Sequence, residues 1–134
     1  MNGLQFFQLP IVEDQGLPQA FSCDIGAKSY DFALYANLDV LASDPPETVY
    51  DLSSAASSRQ PLSPRGFLVL RVVAAGPAGP QVIFLRKLVP EPQLVHYGGD
   101  LAVKLLRATV ARGNLNGSGH YGTQIVIGAA QRWA

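Results

Sequence analysis

Apolar and polar residues alternate along two neighbouring segments near the start of the chain. In residues 19–25, Phe, Cys and Ile occupy every second position, and in residues 28–34, Tyr, Phe and Leu do the same. Successive side chains of a β-strand point to opposite faces, so this period of two predicts two half-buried strands. Gly26 and Ala27 between them suit a type II′ turn, whose first residue has a positive φ that glycine readily adopts. We therefore predict a β-hairpin here.

A second hairpin is predicted from residues 67–74 and 81–88. The first of these segments is apolar on both faces apart from Arg71, which is typical of a strand covered on both sides. Residues 75–80 contain two glycines and two prolines. Since proline cannot donate to a sheet ladder, we expect all of them to form the connection. Shorter strands are expected at residues 4–9, 48–52 and 123–127.

Residues 101–112 allow two interpretations. Asp100 can cap the start of a helix and Gly113 can follow its end, with no proline or glycine between them. A helical wheel places a group of apolar residues on one broad side: Leu101, Val103, Leu105, Leu106 and Val110. This pattern favours a short helix at 101–112. The valine and threonine content also fits a pair of strands.

Two long segments show no such periodicity. Residues 37–66 are rich in proline and serine, and residues 113–122 contain four glycines. Both are expected to be irregular excursions from a core. The whole pattern predicts a mainly β protein: an antiparallel β-sandwich or small barrel of about six or seven strands, with one short helix.

Composition limits the class of protein. The 134 residues fit one domain, and a hydrophobic content of 48% is enough to bury a core. No apolar run approaches the roughly 20 residues of a membrane-spanning helix, and the first residues lack the pattern of a signal peptide. The single cysteine excludes an intramolecular disulfide.

The charges are divided unevenly along the chain. Residues 1–58 carry eight acids and one base, whereas residues 59–134 carry nine bases and two acids. Either the fold interleaves the two halves and partly neutralises them, or the surface is polarised and docks on complementary neighbours. The basic residues are scattered singly, without the cluster that nucleic-acid binding requires. We therefore expect no nucleic-acid partner.

No motif in the sequence indicates catalysis, a metal or a cofactor. His96, His120 and the single Cys23 lack the short spacing of a zinc site. Cys23 lies in an alternating strand, where a thiol usually acts as a small hydrophobe. The glycine-rich segment 113–122 lacks both the lysine and the following helix of a phosphate-binding loop. We expect a protein that is not an enzyme and binds no cofactor.

Several apolar residues lie in segments that have little else to bury. Because ordering a residue costs roughly 1–2 kcal/mol of backbone entropy, we expect residues 4–9, 37–66 and 113–122 to be ordered mainly by other chains. The candidate partner contacts are Phe6, Phe7, Tyr50, Leu52, Leu115 and Tyr121. The alternative is that these loops fold back over their own sheet.

Residues 7–10 (FQLP) and the hairpin 20–34 resemble the start of small baseplate plug proteins of contractile-tailed phages. Those proteins open with a short strand ending in PLP, followed by a hairpin with a glycine turn. The matching positions here are Phe21, Ser22, Ile25, Gly26, Tyr30, Phe32 and Leu34. The resemblance covers mainly residues 6–34 and, loosely, the hairpin after Gly66. It departs in residues 39–66 and in the glycine-rich segment.

The resemblance implies a β-sandwich-like structural subunit near the tail hub, which fills or locks a junction between its neighbours. It implies a place in the virion after assembly in the host cytoplasm. Its partners would be other tail or baseplate proteins and copies of itself, but neither nucleic acid nor membrane. The alternatives are another virion part, such as a tail terminator, connector or tube-associated protein, or a β-sandwich module that binds a ligand such as carbohydrate. A hydrolase is the remaining and weakest alternative.

Overall fold

The structure, a computed structural model, describes residues 5–13, 15–45, 47–52, 66–91, 93–112 and 123–132. Within these ranges the chain forms nine strands and no helix: β1 (Phe7–Gln8), β2 (Gln19–Ile25), β3 (Lys28–Leu38), β4 (Val49–Asp51), β5 (Gly66–Gly76), β6 (Gly79–Leu88), β7 (His96–Gly98), β8 (Leu101–Ala111) and β9 (Gln124–Gln131). All pairings are antiparallel. The predicted mainly β fold is confirmed.

The strands form two sheets that pack face to face. Sheet A has the order β1-β9-β8-β4, with β7 also paired to β8, and sheet B has the order β2-β3-β5-β6. The two sheets are not closed into a barrel, so the fold is an antiparallel β-sandwich. Both sheets contribute to one apolar core, whose largest fully buried side chains include Tyr30, Phe32, Leu70, Leu105 and Ile127.

The first predicted hairpin is confirmed. β2 and β3 pair from Gln19 opposite Leu34 to Ile25 opposite Lys28, which leaves Gly26 and Ala27 as the turn. Gly26 has φ of 65°, while no residue other than glycine has a positive φ in the described chain. This is the conformation that a type II′ turn requires at its first position. β3 continues beyond the predicted end to Leu38.

The second hairpin is also present, but its connection is shorter than predicted. β5 and β6 stay paired as far as Gly76 opposite Gly79, so only residues 77 and 78 form the turn. The expectation that all of residues 75–80 would lie outside the ladder is wrong. Pro80 pairs opposite Ala75. It is tolerated because β6 is an edge strand of sheet B, where a missing N–H costs little.

The predicted helix at 101–112 is wrong: residues 101–111 form the long strand β8. The register of β8 against β9 shifts between Leu105 and Arg107, which leaves Leu106 as the extra residue of a β-bulge. The inward positions are therefore 101, 103 and 105 before the bulge, and 108 and 110 after it. The spacing 101, 105, 108 imitates one face of a helix, which is why the wheel favoured one.

The hairpin of β7 and β8 was not predicted. Gly98 pairs with Leu101, and the turn between them consists of Gly99, with φ of 56°, and Asp100. Asp100 therefore lies in a turn rather than at a helix start. The short strands β1 and β4 fall inside the predicted segments 4–9 and 48–52, and β9 extends four residues beyond the predicted end at residue 127.

Candidate docking surface

The outer face of sheet B is unusually apolar. On β5 the residues that point into the core are Leu68, Leu70, Val72 and Ala74, so the intervening residues point outward. Together with their neighbours they form a surface that we call the outer face of sheet B: Ala20, Ser22, Asp31, Ala33, Tyr35, Asn37, Phe67, Val69, Arg71, Val73, Val82, Leu85 and Lys87. The exposed fraction is 59% for Leu85, 46% for Val82 and 41% for Tyr35.

The registers arrange this face in rows that run across the four strands. One row is Ala20, Ala33, Arg71 and Leu85. The next row towards the Gly26 turn is Ser22, Asp31, Val73 and Val82, and the row on the other side is Tyr35, Val69 and Lys87. In the row of Arg71 the side chains on β2 and β3 are small and those on β5 and β6 are large, so the face is uneven rather than flat.

Arg71 is the charged residue nearest the middle of the face. It is partly exposed, and among the described residues no carboxylate lies within ion-pair distance of its guanidinium. Asp31 lies one row away on β3 and accepts a hydrogen bond of 2.6 Å from the Ser22 hydroxyl. Lys87 Nζ lies 4.6 Å from the centre of the Phe67 ring. The face therefore combines apolar area with an acid on the β2–β3 side and bases on the β5–β6 side.

Part of the outer face of sheet A is covered by the chain itself. A Cβ added to Gly128 would lie 3.2 Å from Cβ of Phe6, and Lys104 Nζ lies 4.7 Å from the centre of the Phe6 ring. Ala102 and Ala130 point to the same side and are fully buried. Sheet A also exposes large apolar side chains, on Val49, Tyr97 and Leu106, but the largest exposed fraction among these residues on either sheet is that of Leu85 on sheet B, at 59%. We therefore take sheet B as the candidate docking surface.

The predicted partner contacts have different outcomes. Tyr50 and Leu52 are buried by their own chain, with exposed fractions of 5% and 2%, so neither presents a surface for a partner. The Tyr50 hydroxyl donates to Oδ2 of Asp44 at 2.8 Å. At Tyr50 and Leu52 the chain thus follows the alternative, in which the loop folds back on its own sheet.

The two predicted contacts near the N-terminus, Phe6 and Phe7, also differ in outcome. Phe6 lies against sheet A, whereas Phe7 is 48% exposed and stays a predicted contact. Leu115 and Tyr121 lie outside the described residues.

His96 is buried and uses both ring nitrogens in hydrogen bonds. The backbone N–H of Val89 donates to Nε2 at 3.0 Å, and Nδ1 lies 3.3 Å from the carbonyl oxygen of Val103. Because Nε2 must accept, the proton of the neutral ring is on Nδ1, which donates to Val103. Burial lowers the pKa of His96. The ring therefore fixes the β6–β7 connection against β8 and has no nitrogen left for a metal. His120 lies outside the described residues.

Cys23 lies on β2 and is partly buried against the core. Burial raises the pKa of its thiol, and the neighbouring carboxylate of Asp24 raises it further. The thiol is therefore protonated at neutral pH and is a weak nucleophile. This environment matches the predicted role of a small hydrophobe.

A polar cluster joins the two sheets at the end of the sandwich nearest the Gly26 turn. Oδ2 of Asp100 accepts from Lys28 Nζ and from the Tyr30 hydroxyl, each at 3.1 Å, and Gln131 Nε2 donates to the same hydroxyl at 3.1 Å. Burial raises the pKa of Tyr30, which keeps the hydroxyl protonated and able to donate. The other carboxylate oxygen of Asp100 is buried and has no partner in the described chain.

Sequence reasoning missed this cluster because Asp100 was interpreted as a helix cap. The signal that could have located it is the Gly98-Gly99-Asp100 sequence, which is typical of a turn between strands. Its hydrogen bonds connect β3 of sheet B with the β7–β8 turn and β9 of sheet A, so we interpret the cluster as a polar contact that holds the two sheets together.

Comparison of the chain with models of protein families, with curated proteins and with solved structures gave no match. The described residues contain no group of three or more His, Cys, Asp or Glu side chains placed to hold a metal ion. In the same part of the chain, no helix has the length and hydropathy needed to cross a bilayer.

Proposed function

We propose that the protein is a structural subunit that docks on partner proteins through the outer face of sheet B. The observation that carries this proposal is the large exposed fraction of Leu85, Val82 and Tyr35 on one sheet face. Exposed apolar area gains roughly 25 cal/mol for each Å² removed from water, so covering it is favourable. Large exposed apolar side chains grouped on one face are typical of a protein interaction site.

Within that class, the function we propose is that of a subunit of a contractile phage tail, as a baseplate plug or hub-associated protein that locks a junction between neighbours. The support is the resemblance of residues 6–34, together with a hairpin in which Gly26 occupies the turn that the resembling proteins place there. Two of the four strands that present the docking face, β2 and β3, come from this hairpin. Another virion part stays the nearest alternative.

A carbohydrate-binding module is the alternative from a different class. Such a module requires an exposed aromatic platform on which a sugar ring can stack. On the outer face of sheet B, the most exposed of the large apolar side chains are the aliphatic Leu85 and Val82, and Lys87 lies against the Phe67 ring. This composition favours a protein partner over a sugar.

The test is whether the chain is a constituent of a contractile tail. Particles would be purified from the organism that encodes the chain by sedimentation and then analysed by mass spectrometry. We expect the chain to sediment with sheath and tube proteins at a fixed stoichiometry and to stay bound through washing in high salt. Recovery only in the low-mass fractions, or in heads free of tails, would contradict the proposal.

A further inference from the structure

We infer that the outer face of sheet B is covered by a second copy of this chain, in a two-fold symmetric pair of stacked sheets. The inference rests on the proposed function in one respect, namely that this face is a docking surface. It adds that the partner is a second copy of the chain. It is argued from the order of the strands, the sizes of the side chains in each row and the placement of Arg71 and Asp31.

The strand order sets the geometry of the pair. A two-fold axis that lies in the interface, parallel to the strands and between β3 and β5, places β3 of one copy over β5 of the other. The same operation places β2 over β6. Residues in one row then face residues of the same row in the second copy, because rotation about this axis does not move a row along the strands. Such an interface is self-complementary by construction.

The side chains in each row fit this arrangement. Leu85 faces Ala20 of the second copy, and Tyr35 faces Val69 of the second copy. In both cases a larger side chain that is exposed in the single chain meets a smaller one. Interdigitation of large and small residues is how packed β-sheets fill the space of about 10 Å between them.

The charges select this axis over the other two-fold axis. Rotation about an axis across the strands, passing through the row of Arg71, would stack β5 on β5 and place two Arg71 side chains opposite each other. With the axis parallel to the strands, Arg71 faces Ala33, and Asp31 of the second copy lies one row along the strand. An arginine side chain spans that step of about 6.7 Å. Two symmetric pairs of Arg71 with Asp31 result.

The area is sufficient for a specific but modest interface. Four strands about 4.8 Å apart and about 25 Å long outline roughly 500 Å² on each copy. Two copies together bury about 1,000 Å², slightly below the roughly 1,200–2,000 Å² of specific, stable protein interfaces. We therefore expect a dimer that dissociates on dilution, in the micromolar range, rather than an obligate one.

Analytical ultracentrifugation of the purified chain over a range of concentrations tests the inference. We expect a reversible equilibrium between monomer and dimer, and an increase in Kd of about tenfold or more for Leu85→Arg, because a charge is then buried against Ala20 of the second copy. The matched control is Leu106→Arg. Leu106 is also an exposed leucine, at 46%, but it lies on β8 of sheet A. The control is expected to dimerise like the parent chain.

Charge reversal provides a second test that does not depend on Leu85. Arg71→Glu alone and Asp31→Arg alone should each weaken dimerisation by about tenfold, because each places like charges together twice. An equimolar mixture of the two variants should restore it, since both pairs in the mixed dimer are then opposite in charge. Mixing does not change the fold of either variant, so a rescue can come only from contacts between the two chains.

The outcomes separate the inference from the proposed function. A chain that is monomeric at all concentrations, a dimer unaffected by Leu85→Arg, or a mixture without rescue would each overturn the inference. If such a chain still sediments with contractile tails, the proposed function stands and the face belongs to another tail protein. If the dimer forms as expected but the chain is absent from tails, the proposed function fails and the inference stands.

Discussion

His96 makes the stability of the fold depend on pH. In the folded chain its pKa lies below the ordinary value of 6.5, because the ring is buried and the positive charge of Arg86 is nearby. Below pH 6.5 the unfolded chain therefore binds more protons than the folded chain, and the free energy of unfolding falls as the pH falls. Above pH 6.5 the contribution is fully present.

The measurement is urea unfolding at pH 7.5 and at pH 5.5 for the parent chain and for His96→Gln. The variant is less stable at the higher pH, by about 1–3 kcal/mol, because Val89 or Val103 loses its partner. It lacks the titrating ring, so the difference between the two proteins should shrink at pH 5.5. A difference that is the same at both pH values would contradict the prediction.

Gly26 is the residue whose backbone conformation the first hairpin requires. Gly26→Val should destabilise the protein by about 1–3 kcal/mol, since a β-branched residue resists a φ of 65°. A Cβ at this position would also collide with the side-chain amide of Gln131. Ala27→Val is the control, because Ala27 lies in the same turn without a positive φ. Equal free energies of unfolding for the two variants would refute the argument.

At the scale of elements, the alternation of single residues predicted the hairpin of β2 and β3 with its turn. It failed for β8 because one extra residue, Leu106, shifts the parity of the strand in its middle. A β-bulge leaves no local signature beyond the broken alternation, and the pairing with β9 that reveals it is a long-range contact. β7 was missed for a related reason, since three residues are too few to show a period.

The candidate docking surface was only partly predictable. The apolar character of β5 on both faces was visible in the sequence, and it was interpreted as a strand covered on both sides. In the structure the outer side of this strand is only partly buried, between β3 and β6. Tyr50 and Leu52 could not be assigned to the core from their loop context, because their burial follows from the pairing of β4 with β8.

The contribution of the polar cluster around Asp100 to stability can be tested by comparing two tyrosines of β3. Tyr30→Phe keeps the buried ring but removes the hydroxyl that links Asp100 to Gln131. We expect a loss of about 1 kcal/mol in the free energy of unfolding, the usual net value of such hydrogen bonds. Tyr35→Phe is the control, since Tyr35 is 41% exposed, and its effect should stay within about 0.5 kcal/mol. Equal losses in the free energy of unfolding for the two variants would show that the hydrogen bonds of the Tyr30 hydroxyl do not stabilise the fold.

At the scale of the whole molecule, the fold shows how the uneven charge of the sequence is distributed between the sheets. Each sheet combines strands from the acidic first half of the sequence with strands from the basic second half, so the fold interleaves them. In sheet B the order β2-β3-β5-β6 nevertheless keeps the acidic half on one side and the basic half on the other. When a second copy is rotated by 180° about an axis parallel to the strands, its acidic half faces the basic half of the first copy.

The irregular edge of sheet B determines what kind of assembly the protein can join. β6 carries Pro80, which cannot donate to a neighbouring strand, and its ladder with β5 shifts register between Val72 and Val73. Both features discourage the addition of another strand, which is how sheets grow into fibres. A two-fold contact between faces uses each face once and is then complete. Association is thereby directed away from open-ended growth and towards a closed pair of defined size.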